Sequence, residues 1–565
     1  MDKKKGLLNV SVAIAFRVII LIANILVRRY LIRYIGNEIN GLNSLYISLL
    51  DVLAVAELGV GSAITFCMYS PIVNGDNDKV SALYHLFTKL YLIIGGIILI
   101  CGCSIMPALP YIAKDYQSVD VNLYFTFGLM LISVVMTYAY SSKTSLINAY
   151  KNNYVTTTIS SIATITQYCL QIVVLVVTRS FVWYLVCRII SSALQWIVTE
   201  IFARHKYGNI ISNKQKIDSE EKKEVTKNIK AMFMHKIGGV LVNTADSLII
   251  SAFIGIAILG KYSNYTTIVV AMISVITLCF TPLTSVIGHM YVGESKEQTK
   301  KYFNFFHTFN YVLGIIFFLG YYAVIDNLVT ILFGNELELA KTISFVITAN
   351  NFIQFMEQSV RLFKDSSGMF YYDRWKCLFE GILNVGLSIL FVCVFPEQYK
   401  VVGVIAATII TNLTICHVVE PFVLYKHTLQ TSAKEYYIRN YLYIALFVGL
   451  LFALHFTMIQ NDNQWIELFA NGGISLAYSL TVSVIVVLIN KDFRHYAKSF
   501  LLRLKRHNNQ PQATVVTNGA STEQTLEDAN GTNENNVTIN EDVNSGVAVE
   551  TDGNVDKDSD NTTDT

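Results

Sequence analysis

Apolar runs of about 20 or more residues alternate with short polar stretches along most of this chain. They fall at roughly 8–32, 42–69, 86–109, 121–141, 154–178, 181–203, 229–254, 260–290, 303–325, 341–360, 373–395, 400–424, 437–459 and 465–490. A helix of that length crosses a bilayer, and only a helix or a closed barrel satisfies its backbone there. The pattern predicts an all-α polytopic membrane protein with about 14 transmembrane helices.

The pattern changes after Lys491. KDFRHYAKSFLLRLKR is basic and amphipathic, and is expected to lie along the inner leaflet. From Asn508 the chain is rich in Asn, Thr, Asp and Gly with scarcely an aromatic residue. Such a segment buries no core and is expected to be a disordered acidic tail.

Composition agrees. The chain is 53% hydrophobic and 15% charged, with a mean hydropathy of +0.45. The net charge of +2 hides an asymmetry. The tail holds about 12 acids and one lysine, so the remainder is near +13. Those basic residues are scattered over many short loops, which excludes a nucleic-acid partner and suits membrane lipids. With the amino terminus inside, inner loops and termini hold about 31 of the 43 lysines and arginines. An even number of spans then puts both termini in the cytoplasm. Arg28, Arg29 and Arg33, at the outer end of the first helix, defy that rule and need another use.

A segment from Gly36 to Pro71 organises the rest. It reads as one apolar helix ended by Pro71, with Asp51 and Glu57 inside it. A carboxylate in hydrocarbon costs several kcal/mol, so each must face protein, water or a cation. Gly36 and Gly41 bracket a turn, and Gly59 and Gly61 thin one helix face. The segment has an echo at an offset of 219: Gly36 and Gly255, Gly41 and Gly260, Ser44 and Ser263, Tyr46 and Tyr265. The same offset relates Arg17 to Lys236 and Asn24 to Asn243. This is an internal repeat with two like-oriented halves, the architecture of a transporter. The expected organisation is a six-helix half (1–204), a basic cytoplasmic linker (205–228), a second half (229–426), two further helices (427–490), the amphipathic segment (491–507) and the tail (508–565).

The run GLNSLYISLLDVLAVAELGVGSAITFCMYSPI resembles the early signature of Wzx-type polysaccharide flippases, the translocases of lipid-linked oligosaccharides. NTADSLIISAFIG (Asn243 to Gly255), GKYSNYTTI (Gly260 to Ile268) and ILNVGLSIL (Ile382 to Leu390) continue it, and it extends to about Lys491. That family belongs to the multidrug/oligosaccharidyl-lipid/polysaccharide superfamily, with the MATE exporters and the lipid II flippase. The resemblance implies a MATE-like fold of two parallel six-helix bundles, with two extra helices in many members. It implies a polyprenyl-pyrophosphate-linked oligosaccharide as substrate and other polysaccharide-assembly proteins as partners. A cation-coupled drug antiporter and a membrane glycosyltransferase or polymerase are the alternatives. The acidic tail has no place in the family pattern.

Arg17, Asn24 and Arg28 lie seven and four residues apart, on one helical face. Arg17 either faces a wet cavity or snorkels to the inner leaflet. Facing a cavity, it would bind phosphate oxygens bidentately. The repeat supplies Lys236 and Asn243 in the other half, so two helices would hold a pyrophosphate between them. Asp51, Glu57 and Asp246 are counter-charges or sites for a coupling cation, or structural partners of Arg188 or a first-helix arginine. Glu357, Glu380 and Glu420 lie near inner helix ends, where solvated positions are expected. His235 and His289 read as interfacial. Tyr46, Tyr262 and Tyr265 would stack on sugar rings at a cavity mouth. No GxxxxGK[ST], hydrolase constellation or metal-ligand spacing occurs, so no cofactor, no metal and no enzymatic activity are expected. The cysteines read as free thiols packed as small apolar groups.

Overall fold

A computed structural model describes residues 3–57, 60–213, 215, 244–280, 287–496 and 498, apart from 289, 291, 292, 368, 370, 371 and 374. The described residues fall in one compact unit and are almost all helical. The first half contains α1 (Lys3–Ile35), α2 (Asn37–Leu53), α3 (Val60–Val73), α4 (Asn77–Ile105), α5 (Leu123–Ala149), α6 (Asn153–Thr178) and α7 (Phe181–Ser212). The second contains α8 (Thr244–Ile254), α9 (Ile256–Phe280), α10 (Lys296–Phe333), α11 (Lys341–Met356), α12 (Gln358–Ser366), α13 (Lys376–Val394) and α14 (Glu397–Leu429). Two further helices follow, α15 (Lys434–Thr457) and α16 (Gln464–Ile489). Among the described residues, ten helices are long and apolar enough to cross a membrane. The protein is an all-α, multi-pass membrane protein.

The departures from 14 uninterrupted spans are instructive. The Gly36-to-Pro71 segment is two helices joined by a turn of 3-10 helix, Ala54–Glu57. Pro71 does not end the second of them, which runs through it to Val73. The proline has no N–H to give the Cys67 carbonyl, and the helix stops two residues beyond it. The span expected at 341–360 is likewise interrupted between Met356 and Gln358, at Glu357. Broken helices are stable in a bilayer where the free backbone groups are covered by protein or line water. The first part of the span expected at 229–254 lies outside the described residues, as do the linker loop beyond Gln215 and the acidic tail.

Helix starts follow local chemistry. Asp76, Asn122, Ser295 and Asn463 each accept a hydrogen bond from a backbone N–H in the first turn of α4, α5, α10 and α16. The repeat is visible in the same starts. Adding 219 to the first residue of α4, Asn77, gives the first residue of α10, Lys296. Gly36 and Gly255, immediately before α2 and α9, have φ/ψ of 119/164° and 142/160°. Essentially only glycine adopts that conformation, so the echo found in the sequence is an echo in backbone geometry.

The halves meet where α2 crosses α9. A Cβ built on Gly41 would lie 1.9 Å from the Ile256 carbonyl oxygen, and one on Gly260 would lie 2.4 Å from that of Asn37. Gly41 is thus not part of a turn. Each glycine admits the other half's backbone. The extra helices pack on the second half. Tyr443 of α15 stacks on Tyr311 of α10, with ring centroids 4.0 Å apart, and Ser479 of α16 donates to the Ile315 carbonyl at 3.5 Å. Beyond α16, Phe493 and Tyr496 stack on Phe305 and Tyr302 of α10. This part of the amphipathic segment therefore docks on protein with its aromatic side.

Candidate functional site

The first half gathers arginines. On α1 the exposed apolar residues Ile14, Val18, Ile19, Ile22 and Leu26 define a lipid-facing arc. At 100° per residue, the face of Arg17, Asn24 and Arg28 lies roughly 130° around the helix from the centre of that arc. Arg17 is exposed and Asn24 and Arg28 are half-buried. The Tyr168 hydroxyl of α6 lies within the electrostatic reach of Arg17, Arg28 and Arg188 of α7. Asp51 of α2 is exposed and feels Arg188. The structure therefore places Arg17, Arg28 and Arg188 within reach of Tyr168, and Asp51 within reach of Arg188 alone. The sequence offered Arg188 only as a structural partner, because nothing in its spacing links α7 to α1. Lys236 and Asn243, the expected second cradle, lie outside the described residues, as do His235 and His289.

Arg28 is engaged across the halves. Its Nη1 donates to Ser263 Oγ at 2.7 Å and to Asn264 Oδ1 at 3.1 Å. Asn40 Nδ2 donates to the same two side chains and to the Gly260 carbonyl. Asn37 Nδ2 donates to the Ala257 carbonyl at 2.7 Å. Nearby, the Lys114 and Ile256 N–H groups donate to the carbonyls of Ser251 and Lys114. These hydrogen bonds between the halves all belong to one end of the bundle.

The carboxylates divide by environment. Tyr138 donates a hydrogen bond to Glu57, which sits in the turn between α2 and α3. Asp246 of α8 is 8% exposed. It accepts from Thr408 Oγ1 at 2.9 Å and from the Tyr262 hydroxyl, and Thr408 in turn accepts from Asn384 Nδ2 at 2.8 Å. These partners are neutral and come from α9, α13 and α14. A buried carboxylate held by neutral groups binds a proton or a small cation readily, because nothing else offsets its charge.

Three expectations are overturned. Glu357, Glu380 and Glu420 are not solvated: they are 4%, 8% and 3% exposed. Lys376 Nζ lies 3.0 Å from Glu420 and 3.1 Å from Glu380. Lys364 Nζ pairs with Asp373 and lies 3.3 Å from Glu420. Arg361 Nε lies 3.6 Å from Glu357, to which Asn412 also donates. The reason is that each acid has a cation folded against it, so it can leave water as a pair. The i,i+4 spacings Glu357/Arg361 and Lys376/Glu380 were the available signal. The tyrosines are also reassigned. Tyr46 and Tyr265 are fully buried and Tyr262 is 7% exposed, so none stands at a cavity mouth. Tyr46 donates to the Leu123 carbonyl at the start of α5, and Tyr265 donates to Asp326 and accepts from the Leu339 N–H just before α11. Both anchor the fourth span of their half.

Among the described residues, no group of three or more His, Cys, Asp or Glu side chains is placed to hold a metal ion. No family profile and no curated protein matches the sequence. Solved structures do match. The lipid II flippase MurJ in an inward closed conformation aligns with a TM-score of 0.60 and 14% identity over 85% of this chain and 98% of its own. An inward-facing multidrug resistance MATE family transporter of the MOP superfamily aligns with a TM-score of 0.58 and 12% identity over 73% and 98%. A mutant of the Vibrio cholerae MATE transporter VcmN gives 0.52 and 12% over 74% and 97%. At these identities the likeness is one of fold, and the fold of this chain is that of the MATE-like transporters of the MOP superfamily.

Proposed function

We propose that the chain is a flippase that moves a polyprenyl-pyrophosphate-linked oligosaccharide from the inner to the outer leaflet of a bacterial cytoplasmic membrane. The carrying observation is the arginine face of the first half. Arg17, Arg28 and Arg188 all act electrostatically on the Tyr168 hydroxyl, and the two on α1 lie off its lipid-facing arc. Guanidinium groups recognise phosphate oxygens by paired, charge-assisted bonds, and a membrane interior strengthens that attraction. The lipid tail stays in the bilayer while the polar head passes between the halves, which rock in alternating access. No bond is made or broken. Asp246 is the coupling site for a proton or sodium ion. Both termini are cytoplasmic, so the end at which the halves are joined is the outer one. A drug antiporter of the same fold usually carries cations, and these three arginines disfavour that substrate.

The test is surface polysaccharide in a flippase-deleted strain complemented with the wild-type gene or with Arg17→Gln. Complementation by the wild type, lost in a normally inserted Arg17→Gln protein, supports the reading. Failure of the wild type to restore export, with the protein inserted, would remove it.

A further inference from the structure

Arg28 belongs to two arrangements at once. It shares a helical face with Arg17, and it supplies a side-chain contact across the crossing of α2 and α9. Its partners there are neutral: the Ser263 hydroxyl and the Asn264 amide oxygen. The charged or ionisable groups that act on it most are the hydroxyls of Tyr184 and Tyr168, not a carboxylate. The neighbouring side-chain donors in the crossing, Asn37 and Asn40, are neutral and reach backbone carbonyls; the Lys114 ammonium donates to the Phe253 carbonyl at the end of α8. A half-buried guanidinium held by neutral acceptors is poorly compensated. Bonds to an ionised phosphate oxygen are roughly twice as strong as bonds between neutral groups.

We propose that Arg28 links the anion site to the outer gate. Resting on the flippase reading above, the proposal adds how the bound head group opens the far side. An anion seated by Arg17 and Arg188 competes with Ser263 and Asn264 for the Arg28 guanidinium. As Arg28 turns to the anion, Ser263 and Asn264 keep only the Asn40 amide as donor, and the guanidinium's contact from α1 to the other half is lost. The loaded carrier then opens outward while the empty one stays latched. Arg28 is a positioning residue of the gate as well as a ligand of the anion.

The experiment uses the full chain in lipid nanodiscs, in a cysteine-free background, with spin labels at Tyr111→Cys and Tyr399→Cys. These residues are 83% and 45% exposed and belong to different halves, at the joined end. The probe is inorganic pyrophosphate. In otherwise wild-type protein, saturating pyrophosphate is expected to shift the label separation to longer distances. Ser263→Ala combined with Asn264→Ala is expected to show the longer separation without pyrophosphate, and to bind pyrophosphate more tightly because Arg28 has been freed. Arg28→Gln is expected to bind about tenfold or more weakly and to lose the response. Arg28→Lys, which keeps the charge without the fork, should restore part of it. Pyrophosphate binding with unchanged separations, or weaker binding by the Ser263/Asn264 variant, would overturn the gate link alone. No binding to the wild type would overturn the anion site, and this proposal with it.

Discussion

The two halves start α2 and α9 with the same glycine geometry, yet they handle charge in opposite ways. In the first half, Arg17 is exposed, Arg188 is half-buried, and Arg28 is held by neutral groups of the other half. In the second, Lys364, Lys376, Glu380, Asp373 and Glu420 are all under 9% exposed and satisfy one another. A charge left open in a membrane protein is costly, so it persists where something charged arrives. A charge neutralised by a folded neighbour holds helices in register and is unavailable to a ligand. The two similar backbones thus differ in that one leaves arginines without a paired carboxylate among the described residues and the other pairs its buried charges. The extra helices support the division, because α15 and α16 pack on α10 of the second half.

The largest expected effect is on the closed network. Glu420 accepts from Lys376 and Lys364, and Glu420→Gln breaks both of these buried pairs, leaving Lys376 with Glu380 and Lys364 with Asp373. Breaking one side of a buried pair costs about 3–5 kcal/mol. Thermal unfolding in detergent, followed by size-exclusion fluorescence, should show a marked loss. Adding Lys364→Met, which leaves the buried Asp373 without its cation, should deepen it. A variant as stable as the wild type would mean that the second half is not held together in this way.

Arg17→Gln should do the reverse. It removes an exposed charge with no described hydrogen bond, so the melting temperature should stay near that of the wild type. Export should fall steeply, since one charge-assisted phosphate contact is worth about 2 kcal/mol, or roughly thirtyfold in binding. Arg17→Lys should retain part of the activity. Equal losses of stability and export would erase the contrast between the halves.

The glycines test the shared part. Gly41→Ala and Gly260→Ala each push a methyl group into backbone of the opposite half. Overpacking of this kind costs about 1–3 kcal/mol. Because the contact is reciprocal, both should loosen the α2–α9 crossing to a similar extent, read as increased labelling of a cysteine placed at Asn37. A response to only one of them would show that the crossing is not symmetric in energy.

The architecture was legible in the sequence because a bilayer forces long apolar runs, and because a duplicated backbone needs glycine at the same places. The glycine echo at an offset of 219 marked the repeat, whereas the close approach of Gly41 and Gly260 came only from the fold. What stayed hidden was the sorting of charges. Glu420 looks like an interfacial acid from its position, and only the fold brings Lys364 and Lys376 onto it. Arg188 is hidden for the same reason: Tyr168 and Asp51, on which it acts, come from α6 and α2. The turn at Glu57 was obscured by an apolar composition that fits a continuous helix as well as a broken one.

The smallest expected effect concerns the ion pair the first half does possess. Lys143 Nζ lies 2.8 Å from Glu200, which also pairs with Arg204 one turn along α7. This cluster resembles the second half's network in composition but differs in access. The side chains of Glu200 and Arg204 are 23% and 69% exposed, against 4% for Glu420. Water therefore screens the pair, and Arg204 remains to hold Glu200 when Lys143 is removed. Pairs of this kind contribute about 0–1 kcal/mol. Lys143→Met should accordingly shift the melting temperature little, and less still at high salt, where screening has already weakened the pair. A loss as large as that of Glu420→Gln would place the two ion clusters in one class, and the division of labour between the halves would then rest on the arginine face alone.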